Sequence, residues 1–281
     1  MGKQRLTTAQ IERFTQNLLR EERAAGTVEK YRRDLTSFAA WLAGRAVTAE
    51  TSAGWKEHLL CSGLAPTTVN SKLSALNSLL KFWGREDCRV RFLRLQRRVF
   101  RDRERELSRE EYGRLLSAAR ETGQERLELL LETICATGIR VSEVRYITVE
   151  AAKTGRADVA LKGKIRTLLL PGKLRRKLLK YARQQKTASG AIFVTRSGSS
   201  LSRGQVWREM KGLCERAGVA ATKVFPHNLR HLFATAFYRA CRDIVKLADV
   251  LGHNSVNTTR IYLRSTGSEH VRLLDRLRLV T

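Results

Sequence analysis

The stretch LGHNSVNTTRIYL at residues 251–263 decides how the C-terminal part of the chain is interpreted. Gly252 allows a helix to end in a left-handed turn, and Ser255 supplies a side-chain oxygen that can cap the next helix. His253 and Tyr262 then stand nine residues apart across this turn. A tyrosine at helical spacing is more often a half-buried core residue than a nucleophile. This stretch therefore indicates a catalytic site only in combination with other segments.

A second informative segment, FPHNLRH, occupies residues 225–231. Pro226 suits the first turn of a helix, where its missing N–H would be unpaired in any case. His227 and Arg230 lie three positions apart on that helix and project together, whereas Leu229 points toward the core. A histidine and an arginine at this spacing are common by chance, so the segment alone is weak evidence for a site.

Two further segments contribute cations. In TGIRVSEV, residues 137–144, Gly138 permits a bend, and Arg140 shares a helix face with Glu143. A predicted β-hairpin follows, with the basic turn Lys162-Gly163-Lys164 between its strands. Taken one at a time, a surface ion pair and a solvated turn are the simpler interpretations of these two features.

The four segments together resemble the catalytic signature of the tyrosine recombinase (phage integrase) family, Arg…Lys…His-x-x-Arg…His…Tyr. The sequences TGIRVSEV, PHNLRH and LGH…TT..Y closely match the corresponding motifs of that family. The resemblance implies a catalytic set of six residues: Arg140, Lys162, His227, Arg230, His253 and Tyr262. The resemblance also implies that Glu143 supports Arg140. Lys164 is the alternative to Lys162, because the length of the turn decides which of the two lysines occupies the catalytic position.

The resemblance also implies a chemistry. Tyr262 attacks the phosphodiester and forms a 3′-phosphotyrosyl intermediate, while Arg140 and Arg230 bind the non-bridging oxygens. His227 accepts the phenol proton, His253 donates a hydrogen bond to the phosphate, and the lysine protonates the leaving 5′ oxygen. The intermediate conserves the bond energy, so neither ATP nor a metal is expected. The acidic residues are dispersed among basic ones, which predicts no two-metal site and no cofactor.

The charge of the chain predicts a polyanionic partner. Its 54 Lys and Arg residues exceed its 27 Asp and Glu residues, so the formal net charge is +27, spread along the whole length. Double-stranded DNA neutralises such a charge through phosphate contacts. A membrane surface is not expected as the partner, because neither a basic amphipathic anchor, a lipidation signal nor a transmembrane run is evident.

The number and spacing of the cysteines indicate in which cellular compartment the protein acts. The five cysteines are odd in number and widely spaced, without a C-x-x-C pair, which argues against a disulfide framework and a zinc site. The polar N-terminus shows no signal peptide. A reducing, cytoplasmic location associated with the nucleoid is therefore expected.

Hydrophobic periodicity predicts a mainly α protein with one small β-hairpin, in two domains. Residues 1–100 read as a bundle of four helices that resembles the family's DNA-clamping core-binding domain. The expected helix starts are Thr7 or Thr8, Thr27, Thr48 and Ala65-Pro66. Residues 101–107 are expected to be a solvated, charge-dense linker. The layout is similar to the two-domain Xer or Cre type, without the arm-site module of larger phage integrases.

Residues 108–281 are expected to form the catalytic domain, beginning at a capping box of Ser108 and Glu111. The hairpin is predicted at 158–161 and 165–171, with a short extended piece at 192–194. The resemblance implies a homotetramer on DNA, in which an amphipathic C-terminal helix at about 268–281 docks into a neighbouring subunit. The basic helices within 65–100 and 203–215 are candidates for DNA contacts.

Three other functions fit part of the pattern. A type IB topoisomerase shares the tyrosine chemistry but relaxes supercoils without strand exchange. A non-catalytic DNA-binding protein of the same fold would not require a tyrosine at position 262. An RNA-binding protein is suggested by charge alone. Integration or excision of a mobile element, inversion and dimer resolution all remain open, as does the target DNA sequence.

Overall fold

Four helices build the N-terminal part of the chain: α1 (Thr8–Arg20), α2 (Ala25–Leu42), α3 (Ala49–Cys61) and α4 (Pro66–Phe82). The computed structural model describes residues 4–95, 103–161, 164–253, 255–263 and 267–277. Thr7 and Thr48 cap α1 and α3 through capping boxes, and Pro66 opens α4, as predicted. The prediction that Thr27 caps α2 is wrong, because its N–H already bonds to the carbonyl of Ala24 at 2.7 Å and the helix begins before it.

The N-terminal core consists of two adjoining apolar clusters between these helices. One forms around Phe14, Leu35 and Leu79, and the other around Phe38, Trp55 and Leu76. Each fully buried side chain of this size contributes roughly 1.5–3 kcal/mol through loss of apolar contact with water. Burial of these apolar side chains therefore stabilises the packing of the four helices.

The remaining elements, apart from a 3₁₀ helix at Glu86–Cys88, follow from residue 103 onward. The helices are α5 (Arg109–Glu121), α6 (Glu125–Thr137), α7 (Val149–Thr154), α8 (Gly172–Gln184), α9 (Arg203–Gly212), α10 (Cys214–Ala217), α11 (Pro226–Cys241), α12 (Ile244–Leu251), α13 (Val256–Thr259) and α14 (Gly267–Arg276). The strands are β1 (Arg156–Leu161) and β2 (Lys164–Leu169). Short 3₁₀ helices lie at Glu86–Cys88, Arg103–Arg105, Val141–Tyr146, Ala221–Lys223 and Arg260–Leu263.

The two strands form the predicted antiparallel hairpin, in which Arg156 pairs with Leu169 and Leu161 pairs with Lys164. The extended piece expected at 192–194 joins no sheet. Val194 forms only an isolated bridge with Ser200, and the neighbouring Ala191 forms one with Thr148. The mainly α fold with one small hairpin is confirmed. Within the described ranges, no helix combines the length and the apolar character that crossing a membrane requires.

Contacts between Cα atoms divide the chain into two compact units, residues 1–97 and 98–281. Residues 101 and 102 of the expected linker lie outside the described part of the chain. Leu107, at the end of that expected linker, is buried in the core of the second unit. The Asn228 side chain on α11 also donates to the carbonyl of Arg105 at 2.6 Å. Packing of the second unit therefore begins before its first long helix.

In the second unit, α6 packs against α5, α8 and α11. Leu130, Leu131 and Ile134 of α6 are completely buried, as is Leu229 of α11. The prediction that Leu229 points into the core is confirmed. Because Leu229 is held inside, its neighbours His227 and Arg230 are carried toward the end of α6 and the turn after it.

Candidate active site

Arg140 owes its place to a glycine at the end of α6. Gly138 has a positive φ of 64° and ends the helix. A Cβ on Gly138 would lie well inside the van der Waals distance of the Phe233 ring and 3.0 Å from a methyl carbon of Leu251. Only glycine allows this close approach of α6 to α11 and α12. The chain then enters the 3₁₀ helix at Val141–Tyr146, with Arg140 directly before it.

Glu143 is the buried acceptor that holds Arg140. Its side chain is 1% exposed, and its Oε1 accepts a hydrogen bond from Arg140 Nη1 at 2.8 Å. Its Oε2 accepts from the backbone N–H of Arg140 at 2.9 Å and from Arg166 Nη2. Burial raises the pKa of Glu143, but these hydrogen bonds and positive charges outweigh it, so the pKa is lowered and the carboxylate stays ionised. The contact with Arg140 is therefore present, and the supporting role of Glu143 in catalysis stays a prediction.

Arg166 is a member of this cluster that the sequence motifs did not include. It lies on β2, and its Nη1 donates to the carbonyl of Val250 in α12 at 2.7 Å. The only signal in the sequence was its position two residues after Lys164, in a strand beside the basic turn. Its contacts with Glu143 and Val250 depend on packing between distant segments.

Arg230 is the buried guanidinium of the site. It is 3% exposed, whereas the side chain of Arg140 is 41% exposed. Arg230 Nη1 donates to the carbonyl of Gly138, and Nη2 donates to the carbonyl of Leu251 at 2.8 Å. Burial and the charge of Arg140 lower the pKa of Arg230, while a hydrogen bond with the Tyr262 phenol acts in the opposite direction. An arginine remains charged despite such a shift.

His253 is held between Arg230 and a buried threonine. Its Nε2 lies 3.0 Å from Arg230 Nη2, and its Nδ1 lies 2.9 Å from Thr259 Oγ1. A guanidinium can only donate, so Nε2 accepts and the ring proton resides on Nδ1, where it is donated to Thr259. Burial, followed by the charges of Arg230 and Arg140, lowers the pKa of His253 to about 4. The imidazole is therefore neutral near pH 7.

Tyr262 lies where an apolar cluster meets this charged cluster. It belongs to the 3₁₀ helix Arg260–Leu263 and is 3% exposed. On one side it packs with Ala234, Leu247 and Leu251. On the other side its ring centroid lies 5.2 Å from that of His231, 5.9 Å from that of His253 and 6.0 Å from that of His227. The tyrosine is buried, yet it is close to Arg230 and to three imidazoles.

Of these three imidazoles, His227 and His253 were predicted as site residues and His231 was not. Burial, with the charges of Arg230 and Arg140, lowers the pKa of His227, so this ring is also neutral near pH 7. His231 Nε2 lies 3.7 Å from a carboxylate oxygen of Glu106. In the sequence, the indication that His231 lies near the site was its position directly after Arg230 in PHNLRH.

A cavity of about 510 Å³ opens beside these side chains. Arg140, Arg230 and His227 line one part of it, and Arg203 and Trp207 from α9 line another. Trp207 is 49% exposed, which is unusual for so large an apolar side chain. The cavity thus offers guanidiniums for an anion next to an aromatic surface.

The structure describes the backbone of only one of the two candidate lysines. Lys162 lies outside the described residues. Lys164 begins β2, and its backbone pairs with Leu161, but its side chain is not among those described. The choice between the two lysines therefore stays a prediction.

Family models match both parts of the chain. The model of the phage integrase family matches residues 105–269, and that of the phage integrase N-terminal SAM-like domain matches residues 11–87. Tyrosine recombinase XerD from Brucella suis biovar 1 (strain 1330) is 34% identical over 302 aligned residues, covering 94% of this chain and 97% of that protein.

Two solved structures share the fold. The Tn1549 transposon integrase in complex with transposon right end DNA has a TM-score of 0.74 at 14% identity, over 98% of this chain and 100% of that chain. A lambda integrase tetramer bound to a Holliday junction has a TM-score of 0.73 at 17% identity, over 90% of this chain and 76% of that chain. Both structures thus show that the chain has this fold.

Proposed function

Because the chain belongs to the phage integrase family, we propose that Tyr262 is the nucleophile with which this site-specific recombinase cleaves and rejoins DNA. The observation that carries the proposal is the position of Tyr262 beside Arg230 and His253. Attack of its phenol oxygen on phosphorus forms a 3′-phosphotyrosyl bond and releases a 5′-hydroxyl. Attack by a 5′-hydroxyl on that bond then restores a phosphodiester and frees the tyrosine.

Arg140 and Arg230 supply the charge for this transfer. In the crowded transition state, the non-bridging oxygens carry negative charge that two forked guanidiniums can bind. Arg230 is fixed by two backbone carbonyls, and Arg140 is fixed by Glu143. Donors that are already in place need no rearrangement during the reaction, and each contributes roughly a hundred- to a thousandfold in rate.

We assign the proton transfers and a hydrogen bond to the phosphate to the histidines and the lysine. His227 is neutral, so it can accept the proton of the Tyr262 phenol. Lys162, or Lys164 in its place, protonates the leaving 5′ oxygen. His253 donates to the phosphate from Nε2, which here accepts from Arg230. Its ring proton must therefore move to Nε2 when the His253 ring leaves its contact with Arg230 and approaches the phosphate.

Burial of Tyr262 sets a condition for cleavage. At 3% exposure, its hydroxyl reaches a DNA phosphate only if the surrounding segment shifts. The short helices Val256–Thr259 and Arg260–Leu263 carry both Thr259 and Tyr262. A displacement of this segment on DNA binding would expose the nucleophile and release His253 from Thr259 together.

Double-stranded DNA is the substrate we assign to the basic surface. On α9, Trp207 and Arg203 line the cavity, and the ammonium of Lys211 lies 5.2 Å from the Trp207 ring centroid. This face combines positive charge for backbone phosphates with an apolar ring that can contact a base edge. Helix α4, in the other unit, is the second candidate for DNA contacts.

A homotetramer on DNA is the assembly we propose, since a lambda integrase of the same fold is a tetramer on a Holliday junction. Helix α14 and the residue that follows it support this proposal with three apolar side chains that are more than half exposed: Val271, Leu274 and Leu277. We assign the reaction to the cytoplasm, where the five free thiols remain reduced. Integration or excision, or inversion, of a mobile element is the proposed event, and repeats flanking the gene would identify it.

A covalent trap tests the nucleophile. A nicked duplex containing the target sequence releases a short fragment after attack, so the tyrosyl adduct cannot be reversed. We expect the native protein to accumulate this adduct and Tyr262→Phe to form none while binding the duplex with nearly unchanged affinity, because only a hydroxyl is lost. Denaturing gels and gel-shift titrations measure the two properties.

Tyr238→Phe is the matched control, since Tyr238 packs against the same apolar cluster as Tyr262. It should retain adduct formation. An adduct formed by Tyr262→Phe would assign the nucleophile to another residue. Relaxation of plasmids that lack the target would instead favour the type IB topoisomerase, and the absence of any adduct from the native protein would favour a non-catalytic DNA-binding protein.

A further inference from the structure

Arg166 connects three segments of the candidate site. It lies on β2, its Nη2 donates to Glu143, and its Nη1 donates to the carbonyl of Val250 at 2.7 Å. Glu143 also holds Arg140, and Val250 lies three residues before His253. One planar guanidinium thus joins the hairpin to the segment of Arg140 and to the turn that carries His253.

The turn after α12 is shaped to admit this side chain. A Cβ on Gly252 would lie 2.9 Å from Arg166 Nε and closer still to its Cδ. Gly252 therefore allows the guanidinium stem to rest on the turn, and the Arg166 side chain is only 16% exposed. Lysine has one nitrogen and could not reach both acceptors in the fixed geometry of a guanidinium fork.

The charges of the cluster explain why a second cation is present. Glu143 and Arg140 alone form a neutral pair, which would attract a phosphate weakly. Addition of Arg166 gives the group of three a net charge of +1, because Glu143 is buried and ionised. Arg140 can then offer positive charge to an anion although it is bonded to a carboxylate.

We propose that Arg166 is a positioning residue for the scissile phosphate, which balances the charge of Glu143 and fixes both Arg140 and the His253 turn. Arg166 acts through these groups and makes no contact with DNA itself. The inference rests on the proposed function, since it concerns the phosphate that Arg140 and Arg230 bind. It predicts that loss of Arg166 weakens phosphate binding even where no cleavage takes place.

The first test uses inorganic phosphate as the probe and the full chain without DNA. Titration at low ionic strength is followed through the imidazole NMR signals of His227 and His253. We expect Arg166→Met to weaken phosphate affinity by about tenfold or more, because a unit charge is lost close to the site. Arg166→Lys keeps the charge but loses one of the two hydrogen bonds, and should have an intermediate affinity.

Arg175→Met is the matched control. Arg175 also packs over a glycine with positive φ, Gly155, and donates to the backbone carbonyls of Ala152 and Lys153. Its replacement removes comparable structural contacts away from the Arg140 cluster and should leave phosphate affinity at the native value. Native-like phosphate affinity of both Arg166 variants, or no phosphate binding by the native protein, would overturn the inference.

The second test compares cleavage of a phosphodiester with cleavage of a methylphosphonate, in which a methyl group replaces one charged oxygen. Arg166→Met should cleave the phosphodiester about a hundredfold more slowly than the native protein, with a clearly smaller loss on the uncharged methylphosphonate. Arg175→Met should show no such difference between substrates. Equal losses on both substrates for Arg166→Met would show a general folding defect and contradict the inference.

The two tests separate the inference from the proposed function. A native protein that binds phosphate but forms no tyrosyl adduct would refute the recombinase chemistry of this chain. The phosphate titration of Arg166→Met would still decide the role of Arg166 in that case. Conversely, native adduct formation with native-like phosphate binding by both Arg166 variants would refute only the role of Arg166.

Discussion

His253 shows how a single residue is adapted to a strongly positive site. Burial disfavours a protonated imidazole there, and the charges of Arg230, Arg140 and Arg166 repel it, which is why its pKa is lowered to about 4. The hydrogen bonds agree with the neutral form, since Nε2 accepts from Arg230 and Nδ1 donates to Thr259. Only a neutral ring fits this arrangement.

The neutral ring makes stability depend on pH. Between the ordinary pKa of 6.5 and the folded value of about 4, the unfolded chain binds a proton at His253 and the native chain does not. The free energy of unfolding should therefore fall as the pH is lowered through this window, by at most ~1.4 kcal/mol per pH unit from this group. Urea unfolding at pH 7 and pH 5 measures the loss.

His253→Gln provides the comparison, because glutamine keeps a hydrogen-bonding side chain that does not titrate. Its loss of stability between pH 7 and pH 5 should be smaller than that of the native protein. His227, whose pKa is also lowered, leaves part of the slope in the variant. An NMR titration that places the His253 pKa near 6.5 would contradict this account.

At the scale of the elements, two helix ends build the pocket for Arg230. Helices α6 and α12 both end at glycines with positive φ, Gly138 and Gly252. The carbonyls of Gly138 and Leu251 at these two ends accept the hydrogen bonds of Arg230. C-terminal helix carbonyls carry partial negative charge and would otherwise lack partners, so they suit a buried cation.

Replacement of Gly138 by alanine tests this packing. Gly138→Ala introduces a Cβ that collides with the Phe233 ring and also strains a positive φ. We expect a loss of about 2–4 kcal/mol in the free energy of unfolding, together with reduced strand cleavage. Chemical denaturation and the covalent trap provide the measurements.

Gly218→Ala separates the two contributions. Gly218 also ends a helix with a positive φ, of 59°, but a Cβ there would meet no atom within 4 Å. It should lose only the ~1 kcal/mol of backbone strain and keep its cleavage rate. Similar losses in both variants would mean that the approach of α6 to α11 is not tight.

At the scale of the whole molecule, the proposed assembly depends on net charge and on an exposed apolar helix face. The formal charge of +27 disfavours contact between free copies and favours binding to DNA. Once DNA neutralises part of that charge, the apolar face of α14 can be buried by a neighbouring copy. Assembly is therefore expected to depend on DNA.

Leu274→Asp tests the role of α14. Leu274 is 57% exposed, so an aspartate there should leave the fold of the monomer intact but disfavour burial against another subunit. We expect loss of the tetramer on DNA, measured by sedimentation, with single-site binding retained. Leu19→Asp, at a similarly exposed position in α1, is the control, and an unchanged tetramer in Leu274→Asp would assign assembly to another surface.

Much of the fold could be predicted from local patterns. The caps at Thr7, Thr48 and Ser108 depend on side chains that bond within the next three residues. Thr48 and Ser108 were predicted as such, and Thr7 was one of two candidates for the first cap. The hairpin also depends on neighbouring residues. The start of α2 was misplaced, because Thr27 has the chemistry of a cap but lies after a turn that is already helical.

The sequence by itself predicted which residue types form the candidate site, because a signature of six residues in order is specific even when each member is common. Only the tertiary structure decided how they meet. The bond from Arg166 to Val250 joins residues 84 positions apart, and the approach of His231 to Tyr262 and the burial of that tyrosine likewise require packed helices. Such contacts depend on the shape of the assembled core, which a local pattern of residues does not contain.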